Sequence, residues 1–316
     1  MSKTKLFSVI IPLHNKEKYI EKTLQSVFQQ TFTDYELIII NDGSTDQSNE
    51  IVKSICENKE NTTLISQKNQ GLSVTRNRGI RAANGEIIAL LDADDFWNEN
   101  YLMEIYKLYN DYPEASLFGT DYLEKHNSKN LLEPSKNISK KLKNTSFLVD
   151  DFFKANLFQP IINPSCFCFK KEVFKTVKFN ESIDFCEDVD YYIRINLNYR
   201  FAYCYKPLAT IILAIPNQMT RVGFKGKRLP NFDQFEQYSS EQKSLKKYLD
   251  TKRYFLLIQC RLSNDKTNYI ALRKNLKISN LNNRQKFLLH TPLIILRVLK
   301  IIKKVILRCN IRLTSY

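Results

Sequence analysis

Glycine and proline are scarce in this chain of 316 residues, which has only seven glycines and nine prolines. A collagen-like or low-complexity chain contains far more of both, so their scarcity excludes those classes and favours a globular protein. Long apolar runs are also missing, and the longest uncharged stretch near the C-terminus runs only from Phe287 to Leu296. That stretch is shorter than the ~18 apolar residues that a membrane-spanning helix requires.

Cysteine pairs with the spacing of a metal or redox motif are absent as well. The seven cysteines include no CxxC pair, and an odd number of irregularly spaced cysteines is typical of reduced, mostly buried thiols in a cytosolic protein. The apolar run near the N-terminus contains Pro12 and lacks a small-residue cleavage site, so we interpret it as a buried strand and not as a signal peptide. We therefore expect a cytoplasmic protein.

No acidic residue follows Asp265 in the sequence. Residues 221–316 contain 22 Lys and Arg against 5 Asp and Glu, a net charge of +17, whereas residues 1–220 have a net charge of −2. This asymmetry predicts a polyanionic partner for the C-terminal part, either an anionic membrane surface or a nucleic acid. The sequence contains no recognisable nucleic-acid-binding module and no aromatic residues interleaved on the basic face, so we expect no nucleic acid.

Strand-like apolar runs alternate with helical patterns in the first hundred residues. The strand-like runs are 6–13, 35–40, 62–66 and 86–91, and the helical patterns between them are 16–30, 44–56 and 71–83. Such alternation with short connections predicts an α/β fold, in which a mixed, mainly parallel, Rossmann-like sheet is flanked by helices. Ligands of such sheets bind beyond the carboxyl ends of the strands, so Pro12, Asp42 and the stretch that begins at Asp92 should meet at one edge.

Strand patterns stop near residue 225, and helical patterns follow. The last predicted strands are 201–205 and 209–215, and the later helices are 234–250, 254–262, 266–275 and a pattern from 283 onward. The sequence therefore predicts an α/β domain over residues 1–225 and a basic, helical C-terminal region over residues 226–316.

Three carboxylates fall within the four residues Asp92-Ala93-Asp94-Asp95, directly after a predicted strand. Like charges this close repel one another unless a cation joins them, and Mg²⁺ and Mn²⁺ prefer carboxylate and phosphate oxygens. Such a metal offsets the charge that develops on a departing diphosphate. The stretch by itself fits the acidic first turn of a helix better, so the metal interpretation depends on the neighbouring motifs.

Three motifs occur in order between Phe7 and Asp111: SVIIPLHNKEKYIEKTLQSVFQQTFTDYELIIINDGSTDQS, NQGLSVTRNRGI and GEIIALLDADDFW. Together they resemble the nucleotide-binding half of family 2 glycosyltransferases, which have the GT-A fold. The resemblance implies an inverting, metal-dependent hexosyl- or N-acetylhexosaminyl-transferase that uses a nucleotide-diphosphate sugar, usually a UDP-sugar. It implies a saccharide or lipid-linked saccharide acceptor, a role in cell-surface polysaccharide biosynthesis, a nucleotide-binding half at 1–111 and an acceptor half at 112–225.

The same resemblance assigns residues to the donor. Pro12 would line the nucleotide base, Asp42 would accept a hydrogen bond from that base, and Arg76 would reach toward the donor's phosphates. An Asp in a turn such as Asn41-Asp42-Gly43 also has an ordinary local explanation, because its side chain bonds its own backbone.

For the acidic stretch, the resemblance implies a different role for each carboxylate around a bound Mn²⁺ or Mg²⁺. Asp92 would contact the ribose or sugar hydroxyls of the donor, and Asp94 would be the principal metal ligand. Asp95 would be a second or alternative ligand of the metal.

A second acidic pair, Glu187-Asp188, follows downstream. In the family, one carboxylate of such a pair removes the proton from the acceptor hydroxyl, and we assign this role to Asp188, with Glu187 orienting or binding the acceptor. The alternative is an acidic first turn of a helix. The run 177–181 stands where relatives have a glycine-containing segment, so the loop before Glu187 is expected to differ from theirs.

Residues 291–311 predict a basic amphipathic helix. Its cations are Arg297, Lys300, Lys303, Lys304 and Arg308, and its apolar residues are Leu293, Ile294, Val298, Ile301, Ile302, Val305 and Ile306. One interpretation is that residues 284–316 dock on anionic lipids, which would place the protein on the inner face of the cytoplasmic membrane. The other is a helix that packs on the catalytic domain and keeps a solvated basic face. A relative that binds nucleotide sugar without turnover is a further alternative for the whole chain.

Overall fold

The computed structural model describes residues 5–126, 131–213 and 225–308. The chain divides into two compact units. The first comprises Met1–Glu124, Ser139–Asp150 and Ile162–Ile212, and the second comprises Lys125–Ile138, Asp151–Ile161 and Leu213–Tyr316. The second unit thus includes two segments from within the region 1–225 that the sequence predicts as one domain.

The regular elements follow in chain order. The strands are β1 Phe7–Leu13, β2 Tyr35–Asp42, β3 Thr62–Gln67, β4 Ile87–Leu90, β5 Phe96–Trp97, β6 Ala115–Lys125, β7 Leu131–Leu132, β8 Ser146–Leu148, β9 Phe167–Lys170 and β10 Arg200–Ile212. The helices are α1 Ile20–Phe28, α2 Ser48–Cys56, α3 Leu72–Ala82, α4 Tyr101–Asp111, α5 Phe152–Ala155, α6 Glu172–Thr176, α7 Glu187–Asn196, α8 Lys243–Ser263, α9 Lys266–Lys274, α10 Asn283–His290 and α11 Leu293–Arg308. Short 3₁₀ helices occupy Lys140–Leu142, Pro164–Cys166, Phe232–Tyr238 and Ile278–Asn280.

The first unit is built on one mixed sheet with the strand order β3-β2-β1-β4-β9-β6-β10-β5. β1 lies between β2 and β4 and runs parallel to both, and β2 is parallel to β3. Every residue of β1 and β4 is buried because the sheet is covered on its faces, as expected for near-continuous apolar strands. The predicted α/β fold is confirmed, and the carboxyl ends of β2, β1 and β4 lie side by side at the predicted edge.

Helix α3 packs closely against β1 and β2. The residue at the contact is Gly79, and a Cβ atom there would overlap the side chain of Ile10. Glycine is therefore required at this position by the close approach of helix and sheet. The contact fixes the position of α3, the helix that carries Arg76.

Strand β10 corrects one prediction, because the two strands expected at 201–205 and 209–215 form one continuous strand that ends at Ile212. Residues 202–204 pair with β8, and residues 209–210 pair with β5. Pro207 falls between these two stretches, so the strand accommodates its missing N–H there. The prediction from 214 to 215 lies outside the described residues.

Helix α8 corrects another prediction, because the helices expected at 234–250 and 254–262 are replaced by one helix over Lys243–Ser263, preceded by a 3₁₀ helix. The expected break contains Arg253, which is buried. Its guanidinium group forms ion pairs with Asp233 at 2.7 Å, Glu236 at 2.6 Å and Asp250 at 3.2 Å. These ion pairs let a charged residue occupy a core position, which apolar periodicity alone does not reveal.

The described cysteines at 56, 166, 168, 186, 204 and 260 are free thiols. Within the described parts of the chain, no helix is both long enough and apolar enough to cross a membrane.

Candidate active site

Asp42 is the last residue of β2, two positions beyond Ile40, which pairs with Pro12 of β1. Its carboxylate is buried and accepts hydrogen bonds from Gln67 Nε2 at 2.7 Å, from the backbone N–H of Gln70 at 2.8 Å and from that of Gly71 at 3.0 Å. These bonds tie the end of β2 to the loop that leads into α3. A carboxylate accepts about four hydrogen bonds, so Asp42 keeps the capacity for one more.

Arg76 joins the two acidic groups that the sequence singles out. Its side chain is 1% exposed, and its Nη2 donates to Asp92 Oδ1 at 2.8 Å while its Nη1 donates to Glu187 Oε1 at 2.9 Å. The guanidinium carbon also lies 5.4 Å from the centre of the Phe179 ring. Because a guanidinium group is planar and forked, one arginine holds both carboxylates at fixed positions.

Asp94 pairs with Lys16, a residue that the sequence analysis did not select. Lys16 Nζ lies 2.6 Å from Asp94 Oδ2, and both side chains are largely buried. The Lys16 backbone N–H donates to Ser48 Oγ at 2.7 Å, which fixes the turn after β1. Burial raises the pKa of Asp94 even though Lys16 acts against this. Lys16 follows β1 at the predicted edge, so its position was the available signal.

Asp95 faces the protein interior. Its Oδ2 accepts a hydrogen bond from Ser165 Oγ at 2.5 Å, and its Oδ1 accepts one from the Ile212 backbone N–H at 2.8 Å. Burial, followed by the charges of Asp94 and Asp92, raises the pKa of Asp95 well above its usual range. Asp95 therefore connects the acidic stretch to the end of β10.

Ser165 is a second residue that the sequence analysis missed. Besides donating to Asp95, its hydroxyl group accepts a hydrogen bond from the Asp92 backbone N–H at 3.0 Å. Its carbonyl oxygen accepts a hydrogen bond from Trp97 Nε1 at 2.5 Å. Ser165 thus fixes the backbone of the acidic stretch, and no short motif around it indicated that role.

Helix α7 begins at the second acidic pair. Cys186 precedes it with a φ of 62°, in the left-handed region, and this turn directs the chain into the first helical turn. Glu187 is buried, and burial followed by the charge of Asp188 raises the pKa of Glu187 to about 7, with Arg76 acting in the opposite direction. Asp188 is half-buried, and its Oδ1 accepts a hydrogen bond from the Val189 backbone N–H at 2.8 Å.

Contacts with α3 and α7 hold the loop before α7. The Asn77 side chain donates to the Phe179 carbonyl oxygen at 2.9 Å and accepts from the Phe179 N–H at 3.0 Å. The Phe179 ring stacks on Tyr191 of α7, with 4.0 Å between ring centres. The loop thus takes its position from α3 and α7.

The predicted site residues therefore form three groups. Arg76 brings Asp92 and Glu187 together, with Asp188 next along the chain, and Asp94 lies beside Asp92 with Lys16 as its partner. Pro12 and Asp42 lie at the ends of β1 and β2. Asp95 points inward. Within residues 5–126, 131–213 and 225–308, no three His, Cys, Asp or Glu side chains are grouped so that they could hold a metal ion by themselves.

Comparisons with known proteins give a family and a fold. A family model described as Glycosyl transferase family 2 matches residues 8–178, more than half of the chain. Glycosyltransferase GlyA of Streptococcus pneumoniae serotype 4 is 36% identical over 115 residues, which are 36% of this chain and 16% of GlyA. The glycosyltransferase YibD of Escherichia coli K12, itself uncharacterized, is 50% identical over 95 residues, which are 30% of this chain and 28% of YibD. The chain thus matches less than a third of the length of either relative.

The fold also matches that of a solved protein. The crystal structure of residues 1–349 of S. aureus TarS in complex with UDP-GlcNAc superimposes with a TM-score of 0.57 at 18% identity, and covers 85% of this chain and 70% of that one. At 18% identity, this match shows a shared fold and nothing beyond the fold.

Proposed function

The chain belongs to glycosyl transferase family 2, and we propose that it is an inverting, metal-dependent glycosyltransferase that moves a sugar from a UDP-linked donor to a saccharide hydroxyl. The observation that carries the proposal is the position of Arg76 between Asp92 and Glu187. It joins the acidic stretch at the sheet edge to the acidic pair of α7, so that groups suited to a donor and to an acceptor adjoin one another.

UDP as the donor nucleotide is supported by the edge formed by Pro12 and Asp42. The remaining acceptor capacity of Asp42 suits a base N–H, because uracil carries such a donor. The fold neighbour TarS was crystallised with UDP-GlcNAc and with UDP, which makes a UDP-sugar the first donor class to test.

A divalent metal fits this site through Asp94 and Asp92 in combination with the donor. Mg²⁺ and Mn²⁺ are commonly held by one or two carboxylates, substrate phosphates and water, so a cluster of three protein ligands is not required. When bound, such a metal neutralises the charge of the diphosphate leaving group. The carboxylate of Asp92 is 31% exposed and therefore open to ligands, whereas both Asp95 oxygens already accept protein hydrogen bonds. We therefore favour Asp94 and Asp92 over Asp95 as ligands.

Asp188 is the proposed general base. The acceptor hydroxyl oxygen forms a bond to the anomeric carbon as the bond from that carbon to the diphosphate breaks, and Asp188 takes the hydroxyl proton. One such displacement inverts the anomeric configuration. Asp188 is the more exposed carboxylate of the pair, and Glu187 is fixed by Arg76, which suits an orienting role.

We further propose a saccharide or lipid-linked saccharide acceptor and a role in polysaccharide biosynthesis at the inner face of the cytoplasmic membrane. The relatives that match by sequence are themselves named glycosyltransferases, which supports the class of reaction. The basic C-terminal region supports a membrane location, because the anionic lipids of the cytoplasmic leaflet attract clusters of Lys and Arg.

Two measurements test the proposal. UDP with Mn²⁺ should raise the melting temperature of the protein, and a screen of UDP-sugars should reveal donor hydrolysis or transfer. If no nucleotide raises the melting temperature, both the enzyme and the binding-only alternative are excluded. If UDP binds and no UDP-sugar is turned over, the binding-only alternative is favoured.

The base assignment is tested by the isosteric changes Asp188→Asn and Glu187→Gln. Loss of a general base lowers the rate by about 10²–10⁴-fold, so Asp188→Asn should abolish transfer and leave UDP binding unchanged. Glu187→Gln keeps an oxygen for Arg76 and should retain more activity. The reverse ranking would transfer the role of base to Glu187.

A further inference from the structure

Helix α11 carries an apolar stripe that faces solvent. The members of this apolar stripe are each between 44 and 75% exposed: Ile294, Ile295, Val298, Ile301, Ile302 and Val305. At 3.6 residues per turn, the spacing from Ile294 to Val298, Ile301 and Val305 keeps these four on one side of the helix. Soluble proteins rarely leave a contiguous apolar surface of this kind uncovered, and such surfaces mark interaction sites.

The orientation of the stripe follows from how α11 packs within its own unit. Leu296, on the opposite side of the helix, is buried, and α11 contacts α8. Arg261 of α8 donates to the carbonyl oxygens of Leu288 at 3.1 Å and Leu289 at 2.7 Å, and also to that of Thr291. These bonds fix the segment between α10 and α11. The helix therefore has one side that packs against α8 and a second, apolar side that is exposed to solvent.

The apolar surface continues beyond α11. Phe287 of α10 is 66% exposed, and an open groove between the two helices is lined by Lys286, Phe287, His290, Thr291, Pro292 and Ile295. The exposed aromatic ring and the stripe thus form one surface over consecutive helices.

Arg297 flanks this surface. It lies three residues after Ile294 and four before Ile301, which places it beside the stripe, and its side chain is exposed. No acidic residue follows Asp265, so none lies on α10 or α11. An apolar stripe with a basic border and no acidic residue is suited to a helix that lies in the plane of a membrane interface.

We infer that α11 docks on an anionic lipid bilayer, with its apolar stripe inserted at the level of the headgroups and with Arg297 against lipid phosphates. The positive charge of this surface distinguishes among the partners that could cover it. A second copy seated on this face would bring two basic surfaces together with no acidic residue of α10 or α11 to pair with them. A nucleic acid would satisfy the cations and leave the stripe in water. A bilayer with anionic lipids satisfies both.

The inference does not depend on the reaction, and vesicles test it directly. The full-length protein should float with vesicles of phosphatidylcholine and phosphatidylserine, bind phosphatidylcholine vesicles weakly, and be released by salt. The double variant I294Q/I301Q should lose binding by at least about tenfold. R297Q should lose about fivefold, because each cation near the surface contributes about fivefold.

Ile270 of α9 provides a matched control. Its side chain is 70% exposed, close to the 75% of Ile294, and it lies outside the stripe. I270Q should bind vesicles like the unchanged protein. All variants should keep their melting temperature, since exposed residues of a helix contribute little to folding.

Three outcomes would overturn the inference. The unchanged protein could fail to bind anionic vesicles, or I294Q/I301Q could bind as well as I270Q. Alternatively, light scattering without lipid could show a dimer that I294Q/I301Q dissociates, which would make a second copy the occupant. The shift of melting temperature with UDP reports on the donor site separately, so its loss or retention leaves this result unaffected.

Discussion

Long-range pairs between single residues organise the candidate site. Lys16 reaches Asp94 across 78 positions of sequence, Ser165 reaches Asp95 across 70, and Arg76 reaches Glu187 across 111. A strand that ends in an acidic stretch predicts where the carboxylates lie, because the parallel topology fixes the edge. It does not predict which cation or hydroxyl each carboxylate will meet. The motifs of the resemblance select Arg76, Asp92 and Glu187. The position of Lys16 after β1 was a signal for Lys16, whereas no motif indicated Ser165.

Lys16 competes with any divalent cation for Asp94, because its ammonium group already lies 2.6 Å from a carboxylate oxygen. We expect Lys16→Met to raise the Mn²⁺ affinity of the nucleotide-free protein about fivefold, since a partly buried ion pair contributes about 1 kcal/mol. Titration of Mn²⁺ followed by electron paramagnetic resonance measures this affinity without turnover. Lys18→Met, a change at an exposed lysine two residues along, should leave it unchanged. Equal or weaker Mn²⁺ binding by Lys16→Met would argue against Asp94 as a ligand.

The buried carboxyl of Glu187 gives stability a pH dependence. Its pKa is raised from 4.5 to about 7, so the folded protein binds more protons there than the unfolded chain does between these values. The contribution of Glu187 to stability is therefore largest at low pH and falls as pH rises from about 4.5 to 7. Compared with Glu187→Gln, the unchanged protein should lose about 3 kcal/mol over this window and none above it. Urea unfolding at pH 5, 6, 7 and 8 measures the difference; parallel profiles for the two proteins would contradict the prediction.

At the scale of elements, the sequence predicts those that local pattern controls. Helix α7 runs from Glu187 to Asn196, where a polar first turn and an apolar helical spacing coincide in the sequence. Strands β1 to β4 fall within two residues of their predicted ends, and β1 and β4 do so because each is a continuous apolar run. The sequence pattern mispredicts an element where tertiary contacts stabilise a segment whose local sequence does not favour that element. Pro207 is accommodated inside β10, and the ion pairs of Arg253 carry α8 through a polar stretch.

The loop before α7 depends on one side chain of α3. Asn77 satisfies both the N–H and the carbonyl group of Phe179, and the pair is buried. Asn77→Ala should lower the free energy of unfolding by about 2–4 kcal/mol, because two buried backbone groups lose their partners. It should also reduce transfer, since the loop leads directly into Glu187. Chemical denaturation measures the first effect.

Asn84→Ala is the control for this change. Asn84 lies at the surface just after α3, and its side-chain contact with Glu36 is 3.3 Å long. The expected loss is about 0.5 kcal/mol or less. Similar losses for the two variants would mean that the Phe179 loop does not depend on Asn77.

For the whole molecule, charge was the most informative property of the sequence. The excess of +17 in residues 221–316 predicts an interaction surface without any knowledge of the fold. The sequence did not show which side of α11 packs against α8. Only the burial of Leu296 and the contacts of Arg261 show that the helix has a packed side and, in addition, an exposed apolar stripe.

Arg76 also connects the two halves of the proposed reaction centre. One guanidinium group is shared by Asp92 and Glu187, so a ligand that draws one carboxylate away alters the hold on the other. In the proposed reaction, donor and acceptor binding would then be linked by a single coupling free energy, and thermodynamics requires that linkage to be reciprocal. Whatever factor UDP applied to the affinity for an acceptor, the acceptor would apply to the affinity for UDP.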